Sequence, residues 1–321
     1  MTHTLQDFRF SGSYISKYMN CPGSAVLSEA IPGFESEDNR RKATTRGTRL
    51  HQVFQNILEG ETELTEAAAM LLKLADVFGK KRIALLVDET SYITWWFLAE
   101  ENYCEPPIPF STIKLLHEII PETLKYNEED DVYDVIPEKV NQTSPALIRF
   151  LAEALLFVHE ILEQREGATL IVEKTRTADW TSTKPKTTAD LVITDGKTLD
   201  VIDFKTGTIQ VEAAHNDQLL YYAETYKKDE KEINLYILQP KNTSIWALSD
   251  GYLETWRNQA LEAEERILDG DRTLRPGSHC QFCPANPYSK GEMGNPKCPA
   301  QIEVLFGKEE EGTLYEEDLD G

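Results

Sequence analysis

Apolar residues recur at three- and four-residue spacing through Leu50, Val53, Phe54, Ile57 and Leu58, and again through Leu253, Trp256, Ala260, Ala263 and Ile267. This spacing predicts amphipathic helices over 45–58, with Gly60 near the end of the first, and over about 253–267. The stretches 67–78 and 146–162 have a similar helical pattern, and Leu219, Tyr222, Ala223 and Tyr226 mark a further helix. Ser11 or Ser13 can cap a short helix ending near Asn20, because Pro22 forbids its continuation. Short apolar or alternating runs at 83–87, 170–176, 191–193, 199–202, 233–238 and 245–248 predict strands, with Glu173 inside the second. Asp195-Gly196 between two of these runs fits a tight hairpin turn. From residue 170 onward the order is strand, strand, strand, helix, strand, strand, helix. The expected fold class is therefore α/β, or α+β, with a mixed sheet flanked by helices.

Composition narrows the function classes. The 321 residues suffice for a large core, and 33 basic against 55 acidic residues give a net charge of −22. Such a chain repels polyanions overall, which argues against broad nonspecific binding to duplex DNA while allowing a local site in which divalent metal offsets charge. The sequence contains no apolar run of bilayer-spanning length and no signal-peptide pattern at its start, so a soluble cytoplasmic protein is expected. In that compartment its five cysteines, Cys21, Cys104, Cys280, Cys283 and Cys298, are reduced and better suited to bind metal than to form disulfides.

Two constellations carry chemistry. In the hairpin, Asp190 and Asp203 come together, and alternation places Asp203 and Lys205 on one face of their strand, so two carboxylates and an ammonium converge. Gln218 and Tyr222, four apart on a helix, share a face. Near the C-terminus, Cys280-Gln-Phe-Cys283-Pro is a chelating spacing, and Cys298-Pro follows after fourteen intervening residues. Cys21, also followed by proline, can complete a four-thiolate set, with His279 as the competing fourth ligand in a zinc reading. Trp95 and Trp96 fit a core position or base stacking. The carboxylate run 128–131 reads as a solvated loop, and the acidic tail after Lys308 as disordered.

These residues, in this order, resemble the PD-(D/E)XK nuclease superfamily, in its RecB-type exonuclease branch with AddB-like and CRISPR-associated iron–sulfur nucleases. The resemblance rests on Gly47-Thr-Arg-Leu-His51, an isolated Asp190, Asp203-Phe-Lys205-Thr-Gly207, Gln218-Leu-Leu-Tyr-Tyr222, and one N-terminal plus three C-terminal cysteines. It spans residues 21 to 298, and Thr187 stands where such proteins usually carry a small residue.

The resemblance implies a restriction-endonuclease-like core hydrolysing DNA with Mg²⁺ or Mn²⁺ held by His51, Asp190, Asp203 and the Phe204 carbonyl. Lys205, Gln218 and Tyr222 would complete the catalytic set, with Glu173 as a weaker supporting carboxylate. It implies a 4Fe-4S cluster, or alternatively Zn²⁺, on Cys21, Cys280, Cys283 and Cys298. Expected domains are N-terminal helices (1–60), a mostly helical insertion (61–167), the nuclease core (168–270), a cysteine segment (271–306) and the tail (307–321). Partners would be DNA ends or single strands, and a separate helicase or recombination protein, since no Walker motif is present. The location would be the cytoplasm, or the host cytoplasm if the chain is phage-encoded. A non-catalytic nucleic-acid or partner-binding module that keeps the nuclease fold is the alternative.

Overall fold

The computed structural model describes residues 8–34, 44–60, 63–78, 84–87, 93–96, 124–127, 132–135, 143–207, 209–286 and 297–306. The expectations for the 128–131 run, Cys104 and the tail lie outside them. In chain order the helices are α1 (Ile15–Asn20), α2 (Leu27–Ala30), α3 (Thr44–Leu58), α4 (Leu64–Phe78), α5 (Thr143–Glu163), α6 (Asp217–Tyr226), α7 (Tyr252–Leu268) and α8 (Pro299–Phe306). The strands are β1 (Ala84–Val87), β2 (Ile93–Trp96), β3 (Leu124–Asn127), β4 (Val132–Val135), β5 (Thr169–Val172), β6 (Thr175–Thr177), β7 (Lys186–Thr188), β8 (Leu191–Thr194), β9 (Thr198–Phe204), β10 (Glu232–Gln239) and β11 (Asn242–Ala247). This is a mixed α/β chain, as the pattern predicts. None of its described helices is long and apolar enough to cross a membrane.

The chain divides into two compact units. One comprises 40–176 and 188–249 and holds a five-stranded sheet in the order β11-β10-β9-β8-β5. Only the β9–β10 pair is parallel, and α6 supplies the crossover between those strands. Every residue of β9 is buried, the condition of a central strand covered on both faces. On one face Leu191, Ile193, Ile202, Phe204, Tyr236 and Leu238 pack with α3, α4 and α5, whose buried positions include Leu50, Val53, Phe54, Leu71, Ile148 and Leu155. Asp200 on this face is neutralised by Arg165, Nε to Oδ2 at 2.7 Å, and accepts hydrogen bonds from Asn234 and Tyr236. The other face of β9 and β10 is covered by α6, which buries Leu219, Leu220, Tyr221, Tyr222, Ala223 and Tyr226. Besides the helices α4 and α5, the 61–167 stretch contains two antiparallel strand pairs, β1–β2 and β3–β4. Trp95 and Trp96 fall on β2.

The other unit, 1–39, 177–187 and 250–321, gathers three distant segments. Phe8, Phe10 and Tyr18 form an aromatic cluster with ring centroids 5.3–6.3 Å apart, and α1 packs against α7. The buried Glu264 accepts hydrogen bonds from the backbone of Ser182 and Thr183. Ser11 precedes the first turn, a 3-10 segment over Gly12–Tyr14, but its side chain makes no capping bond. Glycine is required at position 23, where a Cβ would stand 2.4 Å from the Arg272 carbonyl oxygen.

Candidate metal and thiolate sites

The β8–β9 hairpin closes on Asp195-Gly196. Gly196 adopts φ 82°, and the Asp195 carboxylate accepts hydrogen bonds from the Lys197 and Thr198 amides at 2.8 Å each. Leu191 pairs with Ile202, so Asp190 stands opposite Asp203 at the open end, as the hairpin reading requires. There Asp190 Oδ2 accepts the Phe204 amide at 2.7 Å.

His51 reaches this end of β9 from α3, held by its neighbour Phe54, whose ring lies 3.9 Å from that of Phe204. His51 Nε2 is 3.1 Å from the Phe204 carbonyl oxygen, while Nδ1 is 3.4 Å from both Asp190 Oδ1 and Glu173 Oε1. The ligand atoms of His51, Glu173 and Asp190 all lie within 4.8 Å of one another. Glu173, expected as a weaker supporting carboxylate, is thus one of the three residues whose ligand atoms lie together. It does not continue a strand, as the 170–176 run suggests. It sits in the left-handed region at φ 44° between β5 and β6, with its amide donating to the Asp190 carbonyl at 3.0 Å. That backbone kink, uncommon for a residue with a Cβ, aims its carboxylate at His51.

Lys205 and Asp203 share a face, with Nζ 3.0 Å from Oδ1 and 2.7 Å from Oδ2. The ammonium also donates to Gln218 Oε1 at 3.3 Å, and Gln218 Nε2 donates to the Tyr222 hydroxyl at 2.7 Å. Asn216 caps α6 through Oδ1, which accepts the amides of Gln218 and Leu219 at 3.1 and 3.2 Å, and so fixes where Gln218 begins its turn.

The electrostatics are those of a site crowded with carboxylates. Burial opposes charge on His51, yet its hydrogen bonds to the Asp190 and Glu173 carboxylates, and their charges, outweigh it and push the imidazole up to about 10. Burial, reinforced by Asp190, pushes Asp203 up to about 6 despite the opposing pull of Lys205. Burial disfavours the Lys205 ammonium, but Asp203 more than compensates and holds its pKa above the usual lysine value. Tyr222 is raised by burial and by Asp203, so its phenol stays protonated. The donor set of one imidazole, two or three carboxylates and a backbone carbonyl fits a hard divalent ion of the Mg²⁺ or Mn²⁺ kind, with the imidazole favouring Mn²⁺. The imidazolium now meets the partners such a cation would have, and must lose its proton to ligate.

The four expected thiols, Cys21, Cys280, Cys283 and Cys298, are all buried, unpaired and in one unit. Burial raises the pKa of Cys21 and Cys283. Backbone amides point at two of the sulfurs, Arg275 N at Cys21 Sγ and Gly277 N at Cys280 Sγ, both 3.3 Å. Such donors suit sulfur that carries negative charge. Among the described residues, however, the group of three ligand atoms within 4.8 Å is that of His51 and not a set of thiols. The alternative ligand His279 places Nε2 3.0 Å from the Arg275 carbonyl oxygen, and its pKa is lowered first by burial.

A family model described as a protein of unknown function (DUF2800) matches residues 9–303. No curated protein matches. Among solved structures, the chain is similar to that of SSO0001, at 17% identity and a TM-score of 0.26, over 43% of this chain and 71% of that one. It is also similar to protein VC1899 from Vibrio cholerae, at 13% identity and a TM-score of 0.23, over 71% of this chain and 57% of that one.

Proposed function

The chain belongs to the DUF2800 family, whose function is unknown, and we propose from its site chemistry that it is a metal-dependent DNA nuclease of the PD-(D/E)XK type, acting as an exonuclease. The observation that carries this reading is the His51–Glu173–Asp190 group beside the Asp203–Lys205 pair at one end of β9. His51, Glu173, Asp190, Asp203 and the Phe204 carbonyl would hold the ion. When bound, a divalent cation there would supply charge neutralisation at a phosphodiester and acidify water. Lys205, kept charged by Asp203, orients the attacking water and stabilises the negative charge that develops on the phosphate oxygens. Gln218 fixes the ammonium in place through Oε1, and Tyr222 braces Gln218 through its hydroxyl.

On the same resemblance, the four cysteines would carry a 4Fe-4S cluster, with Zn²⁺ as the alternative, that ties the ends of the chain together. The substrates would be DNA ends or single strands in the cytoplasm, or in the host cytoplasm for a phage protein, met in recombination, repair or phage DNA processing. Any helicase or recombination partner would be a separate chain. The net charge of −22 favours a second reading, a non-catalytic binding module on the same fold.

Degradation of end-labelled single- and double-stranded DNA in Mn²⁺ by wild type and Lys205→Ala separates the two. We expect metal-dependent loss of label with wild type and a rate lower by at least about 10²-fold in the variant. Wild type that cleaves no substrate in Mn²⁺ or Mg²⁺, or a variant as fast as wild type, sinks the nuclease reading.

A further inference from the structure

Tyr226 carries a hydroxyl that the nuclease chemistry leaves unused, and both of its bonds end beside residues of the candidate metal group. It is the last residue of α6 and is 2% exposed. Its hydroxyl accepts the Ala189 amide at 3.2 Å and donates to the Lys174 carbonyl. Ala189 directly precedes Asp190, and Lys174 directly follows Glu173. The β5–β8 ladder ends at the Val172–Leu191 pair. Beyond it the two segments are joined by the Glu173 amide on the Asp190 carbonyl at 3.0 Å and, one residue further along each, by the Tyr226 hydroxyl. That hydroxyl therefore spans both segments where Glu173 turns to φ 44°. The Arg176 guanidinium holds the ring in turn, lying 4.8 Å from its centroid while Nη1 donates to the Tyr226 carbonyl at 3.4 Å.

A kink at a single residue aims a carboxylate only where the surrounding structure holds the backbone on both sides of it. Val172 holds the approach through the ladder, but Lys174 on the far side is exposed, and its carbonyl could bond to water. It bonds instead to a buried side chain that also takes the amide next to Asp190. We propose that Tyr226 is a positioning residue of the metal group, its hydroxyl holding the backbone of both ligand-bearing segments so that the Glu173 and Asp190 carboxylates converge on His51. This rests on the divalent-ion reading of that group and not on the cleavage reaction. Tyr226 lies four residues after Tyr222 and eight after Gln218, on one face of α6. The helix that braces Lys205 through Gln218 thus also sets the two carboxylates across from it, and a tyrosine that only filled the core would need its ring alone.

The full chain is titrated with Mn²⁺ by calorimetry as wild type, Tyr226→Phe and Tyr236→Phe, and each metal-free protein is denatured in urea. Phenylalanine keeps the ring and removes only the hydroxyl. Tyr236→Phe removes another buried hydroxyl of the same sheet, the one that donates to Asp200 at 3.1 Å on the opposite face of β9. Both variants are expected to unfold at lower urea than wild type, since each leaves buried polar groups unpaired. Tyr226→Phe is expected to bind Mn²⁺ about tenfold more weakly, as when partners behind metal ligands are removed, and Tyr236→Phe as tightly as wild type. Unchanged affinity in Tyr226→Phe, or an equal loss in both variants, overturns the positioning role and leaves the ion site standing. Wild type that binds neither Mn²⁺ nor Mg²⁺ overturns the ion reading and the role together. Should Tyr226→Phe fail to fold, as judged by circular dichroism, Arg176→Met decides. It removes the guanidinium that holds the ring and is expected to weaken Mn²⁺ binding, and affinity equal to that of wild type overturns the role.

Discussion

Glu173 is the residue whose importance changes most between sequence and structure. Asp203 and Lys205 can be paired from alternation alone, and the Asp195-Gly196 turn brings Asp190 opposite. Glu173 gives no such signal, because the run around it reads as one strand and its function depends on a single residue at φ 44°. A glutamate in the left-handed region costs about 1–2 kcal/mol relative to an unstrained residue, and glycine removes that cost. Both Glu173→Ala and Glu173→Gly lose the carboxylate near His51, so both should bind Mn²⁺ about 10- to 100-fold more weakly, read by calorimetric titration. In urea denaturation of the metal-free proteins, the glycine variant should be the more stable by about 1 kcal/mol, because alanine keeps the strain. Equal stability of the two would show that the kink carries no strain, and undiminished Mn²⁺ affinity would remove Glu173 from the site.

Among the elements, those with a long apolar period were legible almost to their ends. The pattern over 45–58 becomes α3 (Thr44–Leu58), and that over 253–267 becomes α7 (Tyr252–Leu268). The strands β8, β9, β10 and β11 follow equally, since short β-rich runs bounded by Asp-Gly and polar turns have few alternatives. The 170–176 run failed as one strand because local propensity does not register a one-residue reversal of φ. The cap of helix α6 shows how a residue positions chemistry without touching it. Asn216 fixes the first turn, Gln218 is its second residue, and Tyr222 follows one turn later. Asn216→Ala should cost about 1 kcal/mol of stability from the lost cap. Because Gln218 takes its amide bond from that cap, DNA cleavage should fall further than stability accounts for, whereas Asn216→Asp should restore both. Measuring chemical denaturation and cleavage on the same preparations checks the pair, and a rate that stays at wild type while stability drops would detach Asn216 from the site.

The two-unit organisation of the whole molecule could not be read from the chain, because a unit assembled from 1–39, 177–187 and 250–321 has no local signature. Its cysteines gave the one hint, since a ligand at 21 with partners at 280, 283 and 298 implies that distant segments meet. A metal held by those thiols would cross-link segments that Cys21 already joins by hydrogen bonds to the Thr273 carbonyl and the Arg275 amide, more than 250 residues away, where closing a loop in the unfolded chain is most costly in entropy. The aromatic cluster of Phe8, Phe10 and Tyr18 and the Glu264 bonds to 182 and 183 also hold this unit, so it need not unfold outright without metal. The sheet and its His51–Glu173–Asp190 group have their own core, built from α3, α4 and α5 on β8, β9 and β10. Hydrogen exchange should therefore separate the units. In metal-loaded protein compared with Cys280→Ser, amides of α1 and α7 should lose protection, and the melting temperature of that transition should drop by about 5 °C or more. Amides of β9 and β10, bonded within the covered sheet, should keep theirs. Uniform loss across both units would mean that the thiols stabilise the whole chain as one cooperative body, and no loss anywhere would deny them a structural role.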